Sequence, residues 1–265
     1  MSTFEHDLTK GNIWKQLVWF AVPFFISNLI QSLYSLIDLI ILGHFGGTNS
    51  ISAANIGGQV LVILTNLAAG LSGGGTVMLG NYLGSKRKDK INGAISTLLI
   101  TLTVMAAVFM VLLFILKQPL LRLLDTPEEA FSQAEQYLFI CTLGLLFIYG
   151  YNALSAIMRG LGDSRTPMIF VMIACVINII LDPVFIFVFD LGVSGAAIAT
   201  VLSQAVGAIW ILRFLSGKKT ILHLRKENFK LQKNIILPCL GLGISTFVML
   251  STESILSISF TSSLS

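Results

Sequence analysis

The chain contains few charged residues, and this scarcity argues against a soluble fold. Only 11% of its 265 residues are Asp, Glu, Lys or Arg, whereas 55% are hydrophobic. Soluble domains have about 25% charged residues. The sequence also contains apolar runs long enough to cross a bilayer as helices, each of which needs about 20 residues. It therefore predicts an all-α integral membrane protein.

The residues that most enzymes use are scarce and scattered. Three cysteines, Cys141, Cys175 and Cys239, lie singly in apolar runs, without the spacing of a zinc site or a disulfide framework. The three histidines lie far apart, and no Ser/His/Asp arrangement is present. We expect no enzyme, no cofactor and no transition-metal site. A glycine run at 70–84 is not followed by GK[ST], so it indicates close helix packing rather than nucleotide binding.

Seven apolar segments can be recognised by their length. The first two exceed the length of a single crossing, which predicts tilted helices or surface extensions. The first run is too long for a signal peptide, so the N-terminus should be retained. The segments cover approximately residues 14–42, 51–82, 91–116, 134–157, 167–189, 193–215 and 235–260.

The basic residues predict how these segments are oriented. Every Lys and Arg except Lys117 and Arg122 falls on one side of the predicted membrane. Because Lys and Arg are enriched in cytoplasmic loops, the N-terminus should be cytoplasmic in a multi-pass protein of the cell membrane. These residues occupy short loops rather than one continuous face, so we expect no nucleic-acid partner. The last segment ends close to residue 265 with no charged tail, which predicts a truncated chain.

Two aspartates lie in apolar runs that contain no other charged group. Asp38 is the single charged residue between Lys15 and Lys86, and Asp182 is the single one between Arg165 and Asp190. A charged residue at the bilayer centre costs at least ~2.5–3.5 kcal/mol on insertion scales. Because no Lys or Arg lies within the neighbouring spans, these carboxyl groups should be protonated, ion-bound or exposed to water, and they indicate an ion pathway.

Other polar residues share helical faces with these aspartates. Ser27, Gln31, Tyr34 and Asp38 follow one another at spacings of four, three and four, which places them on one face of the first span. Such polar residues also serve as contacts between helices, each contributing ~0.6 kcal/mol on average. A purely structural role therefore stays open for them.

The fifth and sixth spans add further oxygen atoms. Asn178 and Asp182 are four residues apart, and Pro183 removes the helical hydrogen bond to the Ile179 carbonyl. Thr200 and Gln204 are also four apart. If the first, fifth and sixth spans meet, these oxygens would suit a hard cation. Interhelical packing remains the alternative, above all for Thr200 and Gln204.

Five segments carry a resemblance to a known family. They are PFFISNLIQSLYSLIDLIILGHFG (23–46), MRGLGDSRTPM (158–168), NIILDPVFIF (178–187), GVSGAAIAT (192–200) and STESILSISFTSSL (251–264). Together they resemble the multidrug and toxic compound extrusion (MATE) family of twelve-helix antiporters. The resemblance implies that residues 1–233 form a six-helix N-terminal lobe and residues 234–265 the first helix of an incomplete C-terminal lobe.

The resemblance also implies roles for individual residues. Asp38, Asn178, Asp182 and Thr200 match the cation site of the N-terminal lobe, and Glu253 resembles a glutamate of a possible second cation site. Tyr34 matches a residue that lines the substrate cavity, to which we assign Gln31 and Gln204 as well. The coupling ion would be sodium or a proton, and the polar stripe leaves that choice open. The full-length protein should be monomeric.

The expected function is export of organic drugs, cationic or amphipathic, in exchange for the coupling cation. A lipid-linked precursor flippase of the same superfamily is one alternative, although it would need cationic residues in its cavity to hold a pyrophosphate. A membrane-embedded transferase would need a catalytic cluster, which the sequence lacks. A non-functional transporter fragment is the remaining alternative. The individual drugs cannot be read from the sequence, because multidrug sites recognise shape and apolarity.

Overall fold

The chain folds into a bundle of long helices. The computed structural model describes residues 12–217, together with residues 236–238, 241, 243–245, 248 and 252. The helices are α1 (Ile13–Gly84), α2 (Lys88–Leu123), α3 (Glu128–Gly160), α4 (Arg165–Pro183), which continues as a π-helix over Val184–Val188, and α5 (Gly192–Gly217).

Six segments of these helices are long and apolar enough to cross a membrane. The expected all-α architecture with six spans is therefore confirmed. A shorter apolar helix, Ile236–Ser245, follows them where the seventh segment was predicted. Spans 1 to 6 are Trp14–His44, Asn49–Gly84, Lys90–Leu123, Glu128–Gly160, Arg165–Val188 and Gly192–Arg213.

Helix α1 contains two spans and bends sharply between them. A Cβ atom built on Gly43 would lie 3.0 Å from Cδ1 of Ile51. Eight residues of a straight α-helix rise about 12 Å, a separation that the Ile51 side chain could not bridge. The chain therefore turns between the end of span 1 and the start of span 2, although its hydrogen-bonding pattern stays helical.

Helix α3 is the centre of the bundle, because it packs against α1, α2, α4 and α5. Its fully buried Tyr149 donates a hydrogen bond from Oη to the carbonyl of Leu64, at 2.8 Å. The hydroxyl of Thr76 in span 2 donates to the carbonyl of Ala156, at 3.1 Å. These bonds fix spans 2 and 4 against each other.

One end of α3 carries three polar side chains that reach three different neighbours. Gln133 accepts a hydrogen bond from Ser50 of span 2, at 3.2 Å. Glu135 pairs with Lys117 of span 3, at 2.8 Å, and accepts a hydrogen bond from Gln118. Gln136 accepts a hydrogen bond from Ser194 of span 6, at 3.0 Å. These side chains, which we call the polar collar, join spans 2, 3, 4 and 6 at one end of the bundle.

Span 1 is the least covered part of the bundle. Its apolar residues Leu17, Phe25 and Ile40 are each more than half exposed, as expected for side chains that face lipid. Its opposite face packs inward, where Ile30 and Tyr34 contact buried residues of spans 4, 5 and 6. Span 1 thus meets the rest of the bundle along one narrow face.

Candidate functional site

The inward face of span 1 is the polar face predicted from the sequence. Gln31, Tyr34 and Asp38 are all partly buried, whereas their neighbours Leu33 and Leu39 are exposed. Ser27 uses its hydroxyl locally, because Oγ donates to the carbonyl of Pro23 at 2.8 Å. The helical period therefore presents Gln31, Tyr34 and Asp38 to the other helices.

Span 5 supplies the two most deeply buried polar residues of the site. Asn178 is 1% exposed and Asp182 is fully buried. The Asn178 amide donates to Oδ1 of Asp182 over 3.4 Å, which is a long hydrogen bond. Immediately after Pro183 the helix widens into the π-helix of residues Val184–Val188. Because a proline cannot donate to the preceding turn, the regular pattern ends next to the carboxyl group.

The structure brings the two aspartates together. The carboxyl groups of Asp38 on span 1 and Asp182 on span 5 are neighbours that interact electrostatically. No Lys or Arg of the described residues pairs with either group. Two neighbouring carboxylates inside a bundle repel each other, and a shared proton or a bound cation removes that repulsion.

Four side-chain oxygens of the predicted cation site are buried without a hydrogen-bond partner among the described residues. No N–H or O–H group in the described part of the chain donates to Oδ1 of Asp38, Oδ1 of Asn178 or Oδ2 of Asp182. The hydroxyl of Thr200, on α5, also has no partner there. A buried polar group without a partner costs about 1–3 kcal/mol. Oxygens of these types are the ligands of hard cations, so the donor set fits sodium as well as a proton.

A small cavity lies beside Asn178. Its volume is about 10 Å³, enough for about one water molecule and far below the ~300 Å³ of a typical ligand pocket. The cavity does bring the predicted substrate-cavity residues to one place. Its polar lining comprises Gln31, Tyr34, Tyr151, Asn178, Ser203 and Gln204.

Sequence reasoning missed two tyrosines of span 4. Tyr151 lines the small cavity, and Tyr137 interacts electrostatically with Asp38 while its hydroxyl contacts Cys141. Their hydroxyl groups inside an apolar span were a usable signal, because a buried polar group in lipid needs a partner. The sequence of span 4 alone, however, does not indicate which other span Tyr137 and Tyr151 face.

Two predicted features receive no structural account. Glu253 and the domain boundary between residues 233 and 234 lie outside the described residues. Within residues 12–217 and the few described beyond them, no group of three or more His, Cys, Asp and Glu side chains could hold a metal ion. The possible second cation site therefore stays a prediction.

Comparison with known proteins places these features in a family. The MatE family model matches residues 23–184, which include Asp38, Asn178 and Asp182. "Probable multidrug resistance protein YpnP" of Bacillus subtilis is 33% identical over 256 residues, which cover 96% of this chain and 57% of that protein. The chain thus spans little more than half the length of this relative.

Solved structures share the same fold. A multidrug resistance MATE family transporter of the MOP superfamily in its outward-facing conformation matches with a TM-score of 0.89 and 26% identity, over 96% of this chain and 56% of that one. An inward-facing structure described in the same words matches with a TM-score of 0.80 and 27% identity, over 89% and 55%. With six membrane spans and a family match over more than half of its length, the chain is a multi-pass membrane protein that belongs to the MatE family.

Proposed function

We propose that this chain provides the cation-coupling lobe of an exporter that exchanges an organic, cationic or amphipathic drug for sodium or protons across the cell membrane. The contact between the carboxyl groups of Asp38 and Asp182 carries the proposal. The names of its relatives support a drug as the exported substrate, since they include a probable multidrug resistance protein and a multidrug export protein.

The coupling follows from the charge of the two carboxyl groups. With neither proton nor cation bound, the pair repels, and the arrangement that holds Asp38 against Asp182 is disfavoured. A bound cation or proton stabilises that arrangement. Because Asp38 lies on span 1, which contacts the bundle along one narrow face, the occupancy of the site shifts the position of span 1. A ligand changes such an equilibrium only through its different affinity for the two states.

Sodium and protons make different demands on the neighbouring oxygens. Sodium needs several oxygen ligands, and Asn178 and Thr200 each offer a buried oxygen that has no hydrogen-bond partner among the described residues. A proton needs only the two carboxyl groups. The donor-free oxygens of Asn178 and Thr200 therefore favour sodium over a proton as the coupling ion.

Ion binding by the purified 265-residue chain tests the coupling site. We expect radioactive sodium to bind in lipid nanodiscs and to be displaced by acid. Asp38→Asn should abolish binding, because it removes one of the two charges. Asp190→Asn is the matched control: Asp190 is exposed and has φ 52°, a conformation that Asn accepts. Sodium binding by Asp38→Asn equal to that of the unchanged chain would refute the site.

Transport is tested separately, in everted membrane vesicles that contain the protein as its gene encodes it. We expect sodium- or proton-dependent movement of a fluorescent cationic dye, lost in Asp38→Asn. Sodium binding without dye movement would keep the cation site and reject the drug-export role of the chain by itself. The flippase alternative is less favoured, because no basic side chain lines the cavity beside Asn178 in the described part of the chain.

A further inference from the structure

A second, larger groove lies at the opposite end of span 1 from Asp38. It has a volume of about 610 Å³ and lies between the first turns of span 1 and the start of span 5. None of its residues belongs to the cation site. The groove is lined by Asn12, Trp14, Lys15, Val18, Trp19, Val22, Pro23 and Arg165.

The described lining of this groove contains two basic side chains, Lys15 and Arg165, and no acidic one. Lys15 and Arg165 are both exposed, and neither pairs with a carboxylate among the residues described. Asp163, the acidic residue nearest to Arg165 in the sequence, is already engaged: its carboxylate accepts hydrogen bonds from the backbone N–H groups of Arg165 and Thr166 and from the Thr166 hydroxyl. No described carboxylate therefore competes with an outside anion for these two cationic side chains.

Arg165 is held in a defined position. Its guanidinium lies over the ring of Trp19, 3.7 Å from the ring centre. Stacking of this kind fixes the plane of the guanidinium and leaves the N–H groups at its edge free to donate. Two parallel N–H groups match the geometry of a phosphate.

The remaining walls of the groove suit an acyl chain. Trp14 marks the start of span 1 and is 77% exposed, a position typical of tryptophans at the membrane–water interface. Val18 and Val22 follow at spacings of four residues along the same face and extend the groove toward the apolar part of the span. The groove thus has cationic groups at the membrane interface and apolar walls that extend from them into the membrane.

We propose that this groove binds an anionic phospholipid. The lipid phosphate would lie between Lys15 and Arg165, and an acyl chain would run along Val18 and Val22. A phospholipid fits the groove better than a free anion does. Its phosphate can contact the basic residues while its acyl chain contacts Val18 and Val22, which a free anion would not reach. The site would join the ends of spans 1 and 5, the two helices that carry Asp38 and Asp182.

Native mass spectrometry of the purified chain tests the proposal, with phosphatidylglycerol and phosphatidylcholine as competing probes. We expect phosphatidylglycerol to be retained preferentially. Lys15→Gln and Arg165→Gln should each weaken retention about fivefold, since a basic residue near an anionic lipid contributes ~1 kcal/mol. Raised salt should weaken binding further. Arg122→Gln, at the other end of the bundle, and Arg213→Gln should leave retention unchanged.

Fluorescence provides a second readout, which reports how close a lipid acyl chain lies to Trp19. The chain has three tryptophans, so the double variant Trp14→Phe, Trp210→Phe leaves Trp19 alone. Phosphatidylglycerol with brominated acyl chains, added to the chain in detergent, should quench Trp19, whereas brominated phosphatidylcholine or inorganic phosphate should not. Equal retention of both lipids, or unchanged retention in Arg165→Gln, would overturn the proposal. So would lipid binding that appears only after deletion of residues 2–11.

Discussion

The contact between Asp38 and Asp182 has a consequence for stability as well as for function. Two negative charges on neighbouring spans act against folding unless an ion neutralises them. The Asn178 amide donates to Asp182, whereas no N–H or O–H group among the described residues donates to Oδ1 of Asp38. Ion occupancy should therefore be visible as thermal stability.

The variant Asp182→Asn tests this at the level of one atom. An amide at position 182 still accepts from Asn178 and can donate to Asp38, so the repulsion is replaced by a hydrogen bond. We expect the melting temperature of the ion-free chain to rise by about 2–4 °C for each kcal/mol of repulsion removed. The stabilisation of the unchanged chain by sodium, about 2.7 kcal/mol at 100 times Kd, should disappear. Thermal unfolding in sodium and in choline salts measures both effects.

The control for this experiment is Asp125→Asn, an exposed position with φ 49° where the charge has no contact with the site. It should keep the sodium response of the unchanged chain. A sodium response that survives in Asp182→Asn would contradict the shared-ion interpretation. A wild-type chain that responds to acid but not to sodium would identify the proton as the ion bound.

The sequence predicted this pair for a simple physical reason. A lone carboxyl group in a long apolar run stands out regardless of the fold, so Asp38 and Asp182 could be found without coordinates. Their contact could not, because it depends on how spans 1 and 5 rotate against each other. The same dependence explains why Tyr137 and Tyr151 were missed.

At the level of helices, the packing of α3 depends on the absence of side chains at particular positions. A Cβ atom on Gly144 would lie 2.5 Å from Cγ2 of Val201 in span 6. Valine has a stiff side chain that cannot easily rotate away. Gly144 therefore sets the distance between spans 4 and 6.

Gly144→Ala should destabilise the chain by about 1–3 kcal/mol, the usual cost of overpacking a core. The measurement is unfolding monitored by circular dichroism in detergent. Gly150→Ala on the same helix is the matched control, because a Cβ atom there would meet nothing within 4 Å. It should be neutral or stabilise by about 0.5–1 kcal/mol, since alanine is the better helix former. Equal effects of the two substitutions would show that helix propensity, and not packing, dominates.

The six spans could be predicted from sequence because hydrocarbon thickness dictates the length of an apolar helix. Other features of the helices could not. The widened turn at Val184–Val188 follows from Pro183, yet the sequence indicates only a lost hydrogen bond and not the geometry that replaces it. The separation of spans 1 and 2 was predicted, and Gly43, Gly46 and Gly47 lie between them, but the sequence did not indicate that the helical hydrogen-bonding pattern continues through the bend.

For the whole molecule, orientation in the membrane remains a prediction from its charges. The polar collar, with Lys117 and Glu135, should face outward, and the loop between spans 2 and 3 should face the cytoplasm. Single cysteines introduced as Glu128→Cys and Ser85→Cys, both at exposed positions, test this. A membrane-impermeant maleimide should label Glu128→Cys in intact cells and label Ser85→Cys only after lysis.

The native cysteines provide the background for that experiment. Cys141 and Cys175 are buried and should not react, and replacing all three native cysteines by alanine removes any residual signal. Labelling of Ser85→Cys in intact cells, with Glu128→Cys protected, would reverse the assigned orientation. Labelling of both would indicate that the cells were permeable to the reagent, which an intracellular marker protein detects.

The polar collar also determines where this bundle can deform. Gln133, Glu135 and Gln136 join span 4 to spans 2, 3 and 6 at one end of the bundle, and the partners in these three contacts are Ser50, Lys117 and Ser194. Because these contacts join spans 2, 3, 4 and 6 at one end, we expect the four spans to keep their relative positions there. A change of occupancy at the cation site should therefore move span 1 relative to these joined spans, at whose other end Lys15 and Arg165 connect span 1 to span 5 through the proposed lipid.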